Sequence, residues 1–186
     1  RNDGRGIVSD TEGNIFIADS HNRRIRKIDA SGSFVSTVVS DNNGNSLEGK
    51  GNEVRIGFIT ALTMDVDNQV LYFFDHDTYR IRKYSIATDQ VELVAGSGEW
   101  GRDDGTSTEA SFQNISSLAF GPDDNLYFMD QTTLRKVTLS EGGNAIVSTI
   151  AGRWDDGGAD DGFADQVRFS WSDRKDLAFD VAGNLL

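Results

Sequence analysis

Residues 13–29 read GNIFIADSHNRRIRKID, which is a Gly-Asn turn, an apolar run ending in Asp, a polar turn and a basic run. The succession returns as VLYFFD (70–75) before YRIRKYS (79–85), and as NLYFMD (125–130) before LRKVT (134–138). The aspartates that end the apolar runs, Asp19, Asp75 and Asp130, are 56 and then 55 residues apart. A period of this length is typical of tandem supersecondary units, so the sequence predicts a repeat protein.

Each repeat contains four short runs with the pattern of β-strands. The first run carries apolar residues two positions apart, as in Leu62/Met64 and Leu118/Phe120, and the fourth reads SFVSTVV (33–39) in the first repeat. Gly, Asn and Asp supply the turns between the runs. We therefore predict an all-β fold, a β-propeller of four-stranded blades. The repeats span 5–56, 57–112, 113–169 and, in part, 170–186, and we expect them to form one domain over 1–186.

The composition restricts the classes of function. The formal charge is -12, which disfavours nucleic-acid binding because phosphate contacts supply most of that affinity. There is no cysteine, so disulfides, thiolate catalysis and Cys-based zinc sites are excluded, and no apolar run is long enough for a membrane span. Asn114 begins an N-x-S sequon and is a predicted glycosylation site. The compartment stays open, and the sequon favours an extracellular or cell-surface setting.

The repeat resembles the NHL repeat. GNIFIADSHNRRIRKID (13–29) is similar to the NHL pattern of Gly-Asn, apolar strand, Ala-Asp, turn and Arg-Ile, and 95–130 is similar to its variety with a Gly/Asp-rich insert. The resemblance covers essentially the whole chain. It implies blades of a propeller that usually has six, so we expect about half a ring, with three blades and the start of a fourth. Either this is part of a longer chain or two half-rings pair.

The links between blades are rich in Asp and Gly. GRWDDGGADDGFAD (152–165) contains five aspartates, and the pairs Glu48-Gly49, Asp104-Gly105 and Asp161-Gly162 recur at 56 and 57 residues. These segments are predicted to be turns that join the fourth strand of one blade to the first strand of the next. Because Ca²⁺ prefers oxygen ligands, a calcium site at Asp160 and Asp161 is the open alternative, but no defined calcium-loop order is present, and we expect no cofactor.

The same links are the predicted partner-binding surface. Trp100 and Trp154 recur near one loop position, and tryptophan is favoured at binding hot spots. Packing of these rings against the blade is the alternative. The predicted surface consists of Trp100, Trp154, Asp103, Asp104, Asp155 and Asp156.

The basic third strands have a structural interpretation. Arg24 and Arg80 each follow an Asp by five residues across a hairpin, so ion pairs Asp19–Arg24 and Asp75–Arg80 are predicted within the blades. RNA binding by these strands is the alternative that the acidic balance opposes.

The predicted function is a non-catalytic interaction or scaffold module whose acidic and aromatic loops bind a protein or glycan partner, or further blades of the same chain. The alternative is a propeller enzyme, either resembling a metal-dependent lyase of α-hydroxyglycine peptides or a lactonase, with its site mostly on blades outside this sequence. His21 and His76 raise that alternative, but neither occupies the His position of the NHL turn.

Overall fold

A computed structural model describes residues 6–41, 46–140, 142, 144–171 and 175–186. It divides into two compact units, Arg1–Val94 and Ala95–Leu186. The described strands form antiparallel four- and five-stranded sheets, which are the blades of a β-propeller. The all-β prediction is therefore confirmed, while the prediction of one domain over 1–186 stays a prediction.

The first unit contains two blades. Blade 1 has the order β1-β2-β3-β4, and blade 2 has the order β5-β9-β8-β7-β6. A short 3₁₀ turn, Ser20–Asn22, follows β2. The strands of blade 1 are β1 (Ile7–Ser9), β2 (Ile15–Asp19), β3 (Arg24–Ile28) and β4 (Val35–Ser40). Those of blade 2 are β5 (Gly49–Lys50), β6 (Ile59–Asp65), β7 (Val70–Asp75), β8 (Arg80–Ser85) and β9 (Gln90–Ala95).

The second unit contains blade 3 and the start of a fourth blade. Blade 3 has the order β10-β14-β13-β12-β11. Phe179 and Leu185 form an antiparallel bridge beyond it, where the sequence predicts the first hairpin of blade 4. The strands of blade 3 are β10 (Gly105–Thr106), β11 (Ile115–Phe120), β12 (Leu126–Asp130), β13 (Thr133–Thr138) and β14 (Ile146–Gly152).

The structure adds a fifth strand that the sequence pattern did not reveal. In blade 2, Gly49 of the inter-blade link pairs with Val91, and in blade 3, Gly105 pairs with Val147. These two glycines have φ of 134° and 145°, a backbone region that favours glycine. The glycines of the Glu48-Gly49 and Asp104-Gly105 pairs therefore begin two short strands, β5 and β10, that cover the outer edge of the next blade, which protects that edge from other chains.

Apolar side chains from both faces of the strands fill the interior of each unit. In the first unit, β7 is buried along nearly its whole length, which explains why VLYFFD does not alternate between apolar and polar residues. In the second unit, Phe112 of the link packs edge-to-face on Phe128, with ring centroids 5.5 Å apart. The links thus contribute to the core as well as joining the blades.

An Asp/Asn pair closes the first hairpin of the blades. Asp10 accepts bonds from the backbone N–H of Asn14 (2.8 Å) and from its side-chain amide (2.7 Å), and Asp180 repeats this with Asn184. The side-chain Oδ1 of Asn14 accepts from the backbone N–H of Ala30, which ties the hairpin to the end of β3. The Asn of the Gly-Asn turn thus joins the two ends of the first hairpin to each other and to the end of the third strand by hydrogen bonds.

In blade 3 the corresponding carboxylate is Asp123. It accepts from Lys136 (2.8 Å), Asn125 (2.9 Å) and the Tyr127 hydroxyl (2.9 Å). Slight burial acts to raise its pKa, but these three donors outweigh that effect and lower the pKa to about 2, from an ordinary value of 3.8.

Asp123→Asn tests this network through pH. Because the folded-state pKa is depressed, the carboxylate stabilises the fold above its ordinary pKa, and that contribution is lost as the pH falls towards 2. We expect denaturant unfolding to show D123N less stable than the wild type at about pH 5, with the difference vanishing near pH 2. Asp124→Asn is the control, because the Asp124 carboxylate makes no hydrogen bond within the described part of the chain. A difference independent of pH would contradict the network.

Gly6→Ala tests the packing of β1 on β6 within the first unit. A Cβ at Gly6 would lie 2.3 Å from the Leu62 Cβ, a distance that forces the strands apart. Overpacking of this kind costs about 1–3 kcal/mol, so we expect a lower thermal midpoint for G6A, with Ser9→Ala on the adjoining strand β1 as the control. An unchanged midpoint would contradict the close approach.

Candidate functional site

Each of the two complete links is fastened to its blade by one buried arginine. In blade 2 this residue is Arg82 on β8, whose guanidinium donates to Asp75 at 3.1 Å and forms a salt bridge with it. The guanidinium also donates to the carbonyl of Arg55 at 2.8 Å and to that of Leu47. Asp75 accepts in addition from the N–H of Gly57 at 3.1 Å. The Asp–Arg pair therefore holds both arms of the link, and we call this arrangement the arginine clamp.

Blade 3 repeats the clamp with Arg135 on β13. Its guanidinium donates to Asp130 at 3.0 Å, to the Ser111 carbonyl at 2.8 Å and to the Asp103 carbonyl at 2.7 Å. The Asp104 carboxylate is the fourth acceptor and lies 2.8 Å from the guanidinium. The carbonyl and carboxylate acceptors satisfy the planar set of donors that arginine presents.

Aromatic rings cover the guanidinium of Arg135. Its central carbon lies 5.3 Å from the Phe112 ring centroid, 5.7 Å from that of Phe128 and 5.4 Å from that of Trp154. In blade 2, Arg82 lies 5.6 Å from the Phe73 ring. Rings at these distances stabilise a cation that is removed from water.

The acidic residue before each link glycine caps the fourth strand. Glu48 accepts from the backbone N–H of Leu93 at 3.0 Å, and Asp104 accepts from that of Thr149 at 2.7 Å. In blade 3 the β13–β14 register shifts beside Thr149, between Leu134 and Arg135. The recurring acidic-Gly pair therefore satisfies a strand N–H with its carboxylate and extends the sheet with its glycine.

Burial makes the clamps sensitive to the loss of either partner. Desolvation raises the pKa of the Asp75 carboxyl, and the charge of Arg82 acts against that rise. Desolvation likewise lowers the pKa of the Arg82 guanidinium, opposed by Asp75. Burial also raises the pKa of Asp130. Each charge is compensated by its partner, so removing one would leave the other uncompensated in the interior.

These contacts correct the predicted ion pairs. Asp75 pairs with Arg82 rather than with Arg80, which donates to the carbonyl of Thr78. The reason is that Arg82 points inward between blade and link, whereas Arg80 is only half-buried. The turn before β13 is two residues shorter than the turn before β8, so counting from the Asp residues does not match Arg82 with Arg135. Aligning RIRK (80–83) with LRK (134–136) places these two arginines at the same position.

In blade 1, Asp19 also has a partner other than the predicted Arg24. The Asp19 carboxylate accepts twice from the Asn22 amide, at 2.9 and 3.1 Å, and not from Arg24, which is exposed.

The two predicted contact tryptophans have different environments. Trp100 is 63% exposed, and its backbone forms a parallel bridge to Phe112. Trp154 is half-buried and covers Arg135, so its ring has the packing role that the sequence left open. Trp100 is thus the more exposed of the two rings, and partner binding by either ring stays a prediction.

Most of the predicted acidic residues are engaged within the second unit. Asp103 accepts from the Ser111 hydroxyl at 2.9 Å, and Asp104 belongs to the clamp. Asp155 pairs with Arg102, while Asp156 pairs with Arg168. These loops are accordingly a network of ion pairs more than a bare acidic surface.

The proposed calcium residues do not form a metal centre in the described ranges. Asp160 lies 3.1 Å from Arg168 as an ion pair, and Asp161 is exposed. Among the residues that the structure describes, no group of three or more His, Cys, Asp or Glu side chains could hold a metal ion.

The two histidines lie in aromatic contacts of the first unit. His21 packs edge-to-face on Phe58, with centroids 5.2 Å apart, and His76 lies 5.7 Å from the Tyr79 ring. Asn114, the predicted glycosylation site, is half-buried and donates its backbone N–H to Asp130. Its modification stays a prediction. In the described ranges, no helix has the length and apolar character to span a bilayer.

Comparison with known proteins supports the fold. No family model and no curated protein matches the chain. It is similar to a structural genomics protein of unknown function from Bacteroides thetaiotaomicron, with a TM-score of 0.76 and 21% identity over 97% of this chain and 43% of the other. It is also similar to an auxiliary nutrient binding protein from Bacteroides ovatus, with a TM-score of 0.66 and 21% identity over 95% and 43%.

A third similar structure comes from a nidogen/laminin complex, with a TM-score of 0.62 and 15% identity over 96% of this chain and 53% of the other. The chain thus spans about half, or less, of the length of these proteins. At such identities the similarity shows the fold alone, and that fold is the β-propeller.

Arg82→Ala and Arg80→Ala together test the corrected pairing. R82A leaves the buried Asp75 carboxyl without its cationic partner, which costs about 3–5 kcal/mol, whereas R80A removes a partly exposed charge, worth about 0–1 kcal/mol. We expect thermal melting to show a much larger drop in midpoint for R82A. Equal drops, or a larger one for R80A, would restore the Asp75–Arg80 pairing.

Proposed function

We propose that the chain is a non-catalytic interaction module of the NHL propeller type, which binds a protein partner through the inter-blade links of its second unit. The observation that carries the proposal is Trp100, a large ring that is 63% exposed on a link fastened by the arginine clamp. An exposed tryptophan on an ordered backbone is the usual form of a binding hot spot.

The link beneath Trp100 is held in place on both sides. The N–H of Gly101 donates to the Phe112 carbonyl at 3.0 Å, and a Cβ at Gly101 would lie 2.3 Å from the Ser111 hydroxyl oxygen. Two residues further on, the Asp103 carbonyl accepts from Arg135. Because this backbone is already ordered, binding through Trp100 loses little conformational entropy.

Charged groups surround the ring. The Arg102–Asp155 ion pair joins the link 96–113 to the link 152–165, and both side chains are exposed. Glu99, directly before the tryptophan, is exposed as well. An apolar ring with a polar, charged rim has the anatomy of a protein-binding surface.

One comparison is compatible with a protein partner for the proposed module. One similar structure belongs to a nidogen/laminin complex, in which proteins associate with each other. The enzyme alternative stays a prediction, since it places its ligands mostly on blades outside residues 1–186.

Trp100→Ala is the test, with Val181→Ala as the control, because Val181 is a fully exposed apolar residue on the start of blade 4. Immobilised wild type, W100A and V181A would be exposed to the proteins of the source organism, and any retained protein would then be purified and titrated. We expect W100A to weaken affinity about 30-fold, the effect of a hot spot of about 2 kcal/mol, and V181A to leave it unchanged.

Matched thermal melts would establish that the variants fold. Equal affinity of W100A and wild type for the purified partner would reject Trp100 as the contact residue.

A further inference from the structure

The first unit contains a cavity of about 480 Å³ beside the arginine clamp of blade 2. We call it the Arg82 cavity, and its walls come from the link, from β8 and from β9. The lining residues are Ser46, Leu47, Glu48, Arg80, Arg82 and Leu93, all within the unit Arg1–Val94. A cavity of this size, with apolar walls and a few polar groups, has the dimensions of a small-molecule site.

The corresponding place in blade 3 holds a carboxylate. Asp104 accepts from the Nε and Nη2 of Arg135 at 3.2 and 2.8 Å, and it also accepts from the N–H of Thr149 at 2.7 Å. The Nη1 of Arg135 donates to the Ser111 carbonyl. All three guanidinium nitrogens of this arginine therefore have an acceptor within the second unit.

Glu48 is the counterpart of Asp104 in blade 2, and it makes only part of the same contacts. Its carboxylate accepts from the N–H of Leu93 at 3.0 Å, as Asp104 accepts from that of Thr149. Within the residues that the structure describes, Glu48 forms neither an ion pair nor a hydrogen bond with Arg82. Because Glu48, Arg82 and Leu93 all line the cavity, it lies where blade 3 has its carboxylate.

The guanidinium of Arg82 has one nitrogen without an acceptor in the described ranges. Its Nη1 donates to Asp75 and to the Arg55 carbonyl, and its Nη2 donates to the Leu47 carbonyl. These bonds leave the Nε, although Arg82 is only 1% exposed. Since an unmade hydrogen bond of a buried charged group costs free energy, an acceptor placed in the cavity is stabilised there.

The other walls determine which acceptor fits. Arg80 takes the register position that Thr133 has in blade 3, so the cavity has a second guanidinium where blade 3 has a hydroxyl. Leu47 and Leu93 add apolar surface. The acid of the wall, Glu48, is exposed and already accepts from a backbone N–H. Two guanidinium groups beside apolar surface favour a carboxylate that is joined to an apolar body.

We propose that the Arg82 cavity binds a small carboxylate with an apolar body. The ligand carboxylate accepts from the Nε of Arg82 and from Arg80, in the place of the blade 3 carboxylate, and the apolar body lies against Leu47 and Leu93. The ligand thus completes in blade 2 the set of acceptors that blade 3 obtains from its own link. The site belongs to the first unit and is independent of the Trp100 surface.

Hexanoate is the probe, because it joins one carboxylate to an apolar chain. Acetate has the carboxylate without the chain, and hexan-1-ol has the chain without the charge. The measurement is an amide NMR titration of the full chain at about 0.15 M salt, which screens the net charge of -12. We expect hexanoate to bind with a Kd of about 1 mM or tighter, to shift the Glu48 and Leu93 signals, and to bind about tenfold tighter than either control.

Two variants, each with a matched control, locate the ligand. Glu48→Asp gives the link the acid that blade 3 has, so its own carboxylate is expected to reach Arg82 and to weaken hexanoate about tenfold. Arg80→Ala removes the second guanidinium and is expected to weaken hexanoate about tenfold, the effect of losing a hydrogen bond between charged groups. The controls are Glu92→Asp and Lys83→Ala, which change an ion pair outside the cavity and are expected to bind like the wild type.

Each contrary result overturns the proposal. Unchanged Glu48 and Leu93 signals up to the solubility limit of hexanoate would show that the cavity takes no carboxylate. Equal affinity for hexan-1-ol would show that the charge is not recognised, and equal affinity for acetate would indicate an adventitious ion only. E48D and R80A that bind like the wild type would place the ligand elsewhere. Thermal melts verify folding, and R80A keeps the test decisive if E48D unfolds.

Discussion

The structure depends on the burial of an arginine between each complete blade and the link that enters it. A guanidinium removed from water must have its donors satisfied and its charge compensated, and a single blade offers only one carboxylate for this purpose. The remaining acceptors come from the link, as the Asp103 and Ser111 carbonyls do for Arg135. The link therefore adopts one conformation, and the short fifth strand and the cap on the fourth strand follow from it.

This constraint changes how the acidic links are understood. Their composition alone is compatible with a flexible acidic segment or a calcium-binding loop. Their carboxylates, however, mainly contact arginines and backbone N–H groups. Asp104 illustrates the point, because one side chain contacts Arg135 and caps Thr149. The acidity of the chain is in part the charge that compensates its buried and half-buried arginines.

The same constraint underlies the proposed binding surface. A link that is held by a clamp can present Trp100 without losing its order, which is the basis of the proposed binding surface.

The sequence by itself determined the all-β class, the repeat length and the positions of the second and third strands, because period-2 patterning and Gly/Asn turns are local properties. It also located the acidic-Gly pairs, in two of which the glycine, Gly49 or Gly105, begins a short strand. It did not distinguish Arg82 from Arg80, since both lie on one strand, within reach of Asp75. That choice was decided by the tertiary structure, in which the link covers Arg82 and supplies the carbonyls that a buried guanidinium requires. The different roles of Trp100 and Trp154 were decided in the same way, by which ring the folded link places over Arg135.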